Sequence, residues 1–240
     1  MEYPADFKPK VFVGLPFYGD APVPCTLAAQ VTLVNEQNVT MAGFGGQSIS
    51  SLVNCFNRLW VDALNHRDRG EATHFAMIHA DCQPEPGWVD KLWAAMKARP
   101  TAAVISAVNC IKEQSENPRT STAYSPKGSR WGATRFIRYA DRAEYLAKYG
   151  PTFGPETCQE GEVFLINTGC MLIDLRRDCW DGFAWEQIAG IWRDQDGVWA
   201  TDFEPEDWRM SRFLAERGID YAATWAVRVV HHGAAQWPNY

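Results

Sequence analysis

The sequence predicts an α/β fold: a mostly parallel central sheet flanked by helices, in a single domain. Two observations carry this expectation. Short β-rich apolar runs alternate with segments whose apolar residues recur at three-and-four spacing, the rhythm of strand–helix–strand units that connect right-handedly. The chain also has no internal repeat, low-complexity tract or clear linker. Its 240 residues, 46% hydrophobic and 22% charged, therefore suit one large domain.

The elements follow in order. Lys10 to Leu15 is an apolar strand ended by Pro16 and Gly19. Pro24 can open a short helix through Ala28 and Ala29. Asn38 to Ala42 reads as a second strand closed by Gly43 to Gly46, after which Ser48, Ser50 or Ser51 caps a helix. In that helix Leu52, Phe56, Leu59, Trp60 and Ala63 share a face, and Arg67 to Gly70 ends it. Thr73 to His79 is apolar enough for a central strand. The turn Pro84 to Gly87 then leads into a helix from Trp88 to Lys97. Ala102 to Val108 is a fourth strand. Lys112 to Gly132, rich in Ser, Thr, Pro and Asn, reads as a long loop, and Arg135 to Tyr149 as a helix. Val163 to Ile166 and Cys170 to Leu175 are short strands around Asn167-Thr168-Gly169. Trp208 to Arg217 is a helix closed by Gly218, and Tyr221 to Val230 is the last strand.

Composition excludes several classes. The longest apolar runs are too short to span a bilayer, so no membrane insertion is expected. The polar N-terminus lacks the apolar core of a signal peptide, which points to a cytoplasmic protein. Seven scattered cysteines without a Cys-x-x-Cys pair argue against a disulfide framework or structural zinc. The net charge of −6 argues against a general polyanion binder. The charge is nonetheless uneven. From Asn117 to Ala140 there are five basic residues and no acid, whereas Glu156 to Asp207 carries thirteen acids against three arginines.

Three places carry candidate chemistry. His79-Ala80-Asp81, just past the third strand, lies where ligands bind in an open parallel sheet, and a carboxylate there can hold a divalent cation that bridges phosphates. Alone, Asp81 equally suits a turn or a helix cap. Glu206-Asp207 heads the helix from Trp208. Acids at that position stabilise the helix dipole, or one can take a proton from an acceptor hydroxyl. His231-His232-Gly233 follows the last strand, where a histidine could complete a metal site with Asp81 or simply be a satisfied surface group.

Together these segments resemble the GT-A glycosyltransferases, family 2 above all, and more loosely small glycosyltransferase-like proteins of bacteriophages. Asp81 to Trp88 is similar to that family's acidic motif with its following Pro and Gly-Trp, Glu206-Asp207 to its Glu-Asp motif, and His231-His232-Gly233 to its His-x-Gly. The resemblance implies a single GT-A (nucleotide-diphospho-sugar transferase) domain, with residues 10–110 as the nucleotide-binding half and 111–240 as the acceptor and catalytic half. It implies a nucleotide-sugar donor and a divalent cation, Mn2+ or Mg2+, on Asp81 and His231. Asp207 would be the base, with Glu206 beside it. Pro16, Phe17 and Tyr18 would hold the nucleoside, and Thr168 and Gly169 would line the sugar pocket. His79 departs from the pattern, standing where the family has the first acid of its motif, so its role stays open.

The acceptor follows less directly. Arg130, Trp131 and Arg135 belong to the basic, aromatic stretch and are the candidate acceptor-binding residues. Arginines interleaved with aromatics suit phosphates and unstacked bases, so a hydroxylated base in DNA stands beside a saccharide as acceptor. A non-catalytic nucleotide-sugar or carbohydrate binder on the same fold is the competing class. A nucleotidyltransferase is weaker, because Pro16 to Gly19 stands in place of a glycine-rich basic loop. A zinc hydrolase using His231 and His232 is weaker still, since neighbouring strand residues face opposite ways.

Overall fold

The computed structural model describes residues 3–17, 27, 35–48, 51–127, 134–193, 196–233 and 236–239. In chain order the strands are β1 (Lys10–Phe17), β2 (Thr40–Ser48), β3 (His74–Ile78), β4 (Cys82–Pro84), β5 (Val104–Ala107), β6 (Arg119–Pro126), β7 (Arg135–Arg138), β8 (Thr152–Phe153), β9 (Glu162–Leu165), β10 (Cys170–Asp174), β11 (Ile188–Arg193), β12 (Trp199–Glu204), β13 (Tyr221–Thr224), β14 (Val229–His232) and β15 (Gln236–Pro238). The α-helices are α1 (Leu52–Asp68), α2 (Trp88–Ala98), α3 (Arg142–Tyr149) and α4 (Glu206–Glu216). No helix among the described residues is long and apolar enough to cross a membrane.

A seven-stranded sheet forms the centre, in the order β2-β1-β3-β10-β5-β13-β8. The strands β2, β1, β3, β5 and β13 run one way, and β10 and β8 run against them. The sheet is thus mostly parallel, as expected, with β10 inserted antiparallel between β3 and β5. Alternation along each strand feeds two cores. On β3, Phe75 and Met77 face the layer that holds Phe56, Leu59 and Trp60 of α1 and Met210 and Leu214 of α4. Ala76 and Ile78 face Val89, Leu92, Trp93 and Met96 of α2. The predicted face of α1 is the buried one, and the Ser51 hydroxyl caps the helix by accepting from the Asn54 N–H at 3.4 Å.

Several elements differ from the expectation. The strand β2 does not stop at its glycines but runs through Gly43 to Gly46 beside β1. The Phe12 ring lies so close that a Cβ on Gly45 would meet it at 2.9 Å, so the glycines serve packing rather than a turn. The segment expected as a loop from Lys112 contains β6, which pairs with β7 and β9 in a second sheet. Its polar side chains find partners that the sequence does not display: the Thr120 hydroxyl donates to the Ile137 carbonyl (2.9 Å), and the Ser125 hydroxyl accepts from Arg212 (2.8 Å). Arg135 to Arg138 is accordingly strand β7, and helix begins only at Arg142. The last expected strand breaks into β13 and β14, the latter pairing with β4 and β15. The pair β11–β12 forms a separate two-stranded ribbon. The short helix expected from Pro24 lies, Leu27 apart, outside the described residues.

Candidate active site

The direction of the strands decides which residues meet. Asp81 follows the carboxyl end of β3, in a turn closed by the Cys82 N–H donating to the His79 carbonyl (3.0 Å). Its own carbonyl accepts from the His232 N–H (2.7 Å), so β14 fixes the turn from the other side. Because β10 runs antiparallel to β3, its first residues start where β3 ends. The Gly169 carbonyl accepts from the His79 N–H at 2.9 Å. The carboxyl end of β5 delivers Asn109, Cys110 and the loop bearing Lys112 to the same place.

Asp81 and His231 converge. The His231 Nε2 lies 3.5 Å from Asp81 Oδ2. Its Nδ1 bonds the Cys110 carbonyl at 2.8 Å, which can only accept, so Nδ1 carries a proton and the ring is held with Nε2 toward the carboxylate. The Lys112 ammonium donates to the same Oδ2. Burial on its own would raise the Asp81 carboxyl; its neighbours His231, His79 and Lys112 outweigh that and hold it well below the usual carboxylate range. The ligand atoms of Asp81, Cys82 and His231 lie within 4.8 Å of one another. A carboxylate oxygen and an imidazole nitrogen facing each other are a donor pair that fits a divalent cation, and the Cys82 thiol is a buried third neighbour. The expectation that both adjacent histidines would not share one ion agrees with His232, whose Nε2 pairs with Gln83 Oε1 at 2.8 Å.

His79 belongs to the same corner. Its Nε2 bonds the Thr168 hydroxyl at 3.0 Å, and its ring packs on Phe56 with centroids 5.0 Å apart. Burial holds the imidazole below its ordinary value against the charges of Asp81 and Glu206, which both lie within electrostatic reach. Thr168, the candidate for lining a sugar pocket, is fully buried, and its hydroxyl meets His79. Gly169 is required for close approach, since a Cβ there would stand 2.5 Å from the Asn109 amide nitrogen.

The acidic pair heads α4 as expected. The first turns of this helix lie against β9, with the Ser211 hydroxyl accepting from the Ile166 N–H at 3.0 Å, two residues from Thr168. Glu206 is buried and accepts from Gln187 (2.8 Å). Asp207 is half-buried, and burial followed by the charge of Glu206 pushes its carboxyl well above its ordinary value. The adjoining Glu204 is buried against Arg212.

Other expected residues are placed differently. Pro16 and Phe17 belong to β1 rather than to a loop. Proline is tolerated there because the pairing of β1 with β3 ends at Gly14, leaving β2 alone beside it. Arg135 lies on β7, over the Tyr124 ring (4.0 Å) and paired with Glu162 (2.8 Å). Tyr18, Arg130 and Trp131 lie outside the described residues. Sequence reasoning missed Lys112. It stands in no motif, and only the return of the chain after β5 brings it to Asp81.

No protein-family model matches this chain, and no curated protein matches it. Among solved structures it is similar to the crystal structure of A197 from STIV, with 12% identity over 93% of this chain and 86% of that one, at a TM-score of 0.47. It is also similar to CMP:2-keto-3-deoxy-manno-octonic acid synthetase complexed with CTP, with 11% identity over 90% of this chain and 88% of that one, at a TM-score of 0.40. At these scores neither likeness bears on function, which rests on the site itself.

Proposed function

We propose that this chain is a glycosyltransferase that moves a sugar from a nucleotide-diphosphate donor to an acceptor hydroxyl. The observation that supports it most is the convergence of Asp81, His231 and His79 at the carboxyl ends of β3 and β5, with Glu206, at the head of α4, within electrostatic reach of His79. In this reading residues 10–110 form the nucleotide-binding half and residues 111–240 the acceptor and catalytic half. A divalent cation, Mn2+ or Mg2+, held by Asp81 and His231 would supply Lewis-acid stabilisation of the departing diphosphate. The nucleoside would lie near Phe17 and the sugar beside His79, with Gly169 behind it.

Asp207 takes the acceptor's hydroxyl proton while that oxygen bonds the anomeric carbon and the carbon–phosphate-oxygen bond breaks, its electron pair leaving with the diphosphate. A carboxyl of raised proton affinity suits a base working near neutrality. In-line attack would invert the anomeric carbon. Two arginines of the basic stretch, Arg119 and Arg135, are tied to Glu113 and Glu162 (both 2.8 Å). That engagement favours a saccharide hydroxyl over a DNA base as acceptor.

The test is a thermal titration with UDP, GDP, ADP, CDP and TDP and their sugars, with and without Mn2+. A ligand that binds only the folded chain raises the midpoint. The expected result is a Mn2+-dependent rise with one donor, lost in Asp81→Ala. No rise with any donor would overturn the reading. A rise with no turnover, unchanged by Asp207→Asn, would make the protein a binder.

A further inference from the structure

The Lys112 ammonium rests on the candidate site's carboxylate, and its position sets a conflict. It and the His231 Nε2 both address Oδ2 of Asp81. Glu113, the neighbouring acid on the same loop, is committed elsewhere, to Arg119 at 2.8 Å. Where the family pattern has a second acid, this chain has His79, which adds no negative charge. A divalent cation on Oδ2 would therefore stand about 4 Å from an ammonium left on that oxygen, a separation at which like charges repel strongly even under protein screening. The two cannot share that oxygen.

We propose that Lys112 is a substrate-positioning residue: it gives up Asp81 to the divalent cation and turns its ammonium onto the donor's diphosphate. The inference rests on the glycosyltransferase reading and deepens it. The geometry suits the exchange. The Lys112 side chain is about one-third exposed, at 32%, on a flexible four-carbon stem with three donors, at the end of the sheet where the phosphates would lie. The same lysine thus weakens cation binding when no phosphate is present and strengthens phosphate binding once the cation is in place, coupling the two ligands.

The test uses the full chain and two titrations, Mn2+ alone and then UDP, GDP, ADP, CDP and TDP at saturating Mn2+, on wild type, Lys112→Met and Lys112→Arg. Removing a competing charge that is one-third exposed should tighten Mn2+ about fivefold in Lys112→Met. The same variant should bind the diphosphate about tenfold more weakly, and Lys112→Arg should restore most of that loss. Unchanged or weaker Mn2+ binding in Lys112→Met, or unchanged diphosphate affinity, overturns the inference and leaves the glycosyltransferase reading standing. Wild type that binds a diphosphate without taking Mn2+ overturns the shared carboxylate. Wild type that binds neither Mn2+ nor any diphosphate overturns both.

Discussion

Asp174 and Asp81 each face a histidine and basic side chains, at opposite ends of the same sheet. Asp174 closes β10 opposite the start of β3 and is fully buried. Arg176 grips both its oxygens at 2.8 and 2.7 Å, Arg177 lies at 3.3 Å, the Tyr3 hydroxyl donates at 3.1 Å, and His74 stands 3.9 Å away. Asp81, beyond the other end of β3, keeps 36% of its side chain exposed, and both Lys112 and His231 crowd one oxygen. The residue types are nearly the same; the sealing differs. A buried charge with every lone pair used holds a fold together, whereas an open one retains capacity for a ligand.

The strongest way to break this contrast is to remove each carboxylate. Asp174→Ala should cost about 3–5 kcal/mol in urea unfolding, because it strands two arginines beside an apolar core. Asp81→Ala should stay within ~0.5 kcal/mol of wild type while losing the Mn2+-dependent rise. Equal losses would dissolve the distinction. Next in size, Asp207→Asn should lower turnover by about 10²–10⁴-fold with donor binding retained, measured by single-turnover product formation. Wild-type turnover should rise with pH beyond the ordinary carboxylate range, as the raised Asp207 carboxyl ionises.

A third experiment sharpens the sealed side. Burial pushes His74 down to about 3, against the pull of Asp174. Between the unfolded value near 6.5 and that folded value, the unfolded chain binds more protons. Stability is therefore full above about 6.5 and is lost as pH falls, at up to ~1.4 kcal/mol per pH unit. His74→Phe, whose ring would keep the packing on Tyr3, Phe7 and Trp93, should flatten that acid slope in denaturation curves at pH 4 to 7. An unchanged slope would place the acid sensor elsewhere. The smallest effect belongs to Arg135→Ala, expected to shift the unfolding free energy by less than ~1 kcal/mol and to leave donor binding unchanged, since its partner Glu162 is at the surface sheet.

Periodicity made most of the frame legible. Phe56, Leu59, Trp60 and Ala63 announce the buried face of α1, and β1, β3 and β5 stand out as apolar runs. The strand β6 did not, because Thr and Ser stand among its buried residues, and Thr120, Ser121 and Ser125 find partners on β7, at the Asn109 carbonyl and on α4 across space. Asp174 was equally silent: Leu-Ile-Asp-Leu-Arg-Arg reads as an ordinary strand end until Tyr3 and His74 close over it.

The chain by itself determined the alternation of strands and helices, the capped start of α1 and the places of Asp81, Glu206-Asp207 and His231, since local spacing and turn chemistry are written in neighbouring residues. Only the tertiary structure decided that β10 enters the sheet antiparallel, bringing Thr168 and Gly169 to His79, and that Lys112 rests on Asp81. Those are contacts between residues 31 to 90 positions apart. No local pattern specifies such a contact; it follows from which strands the packed core places side by side.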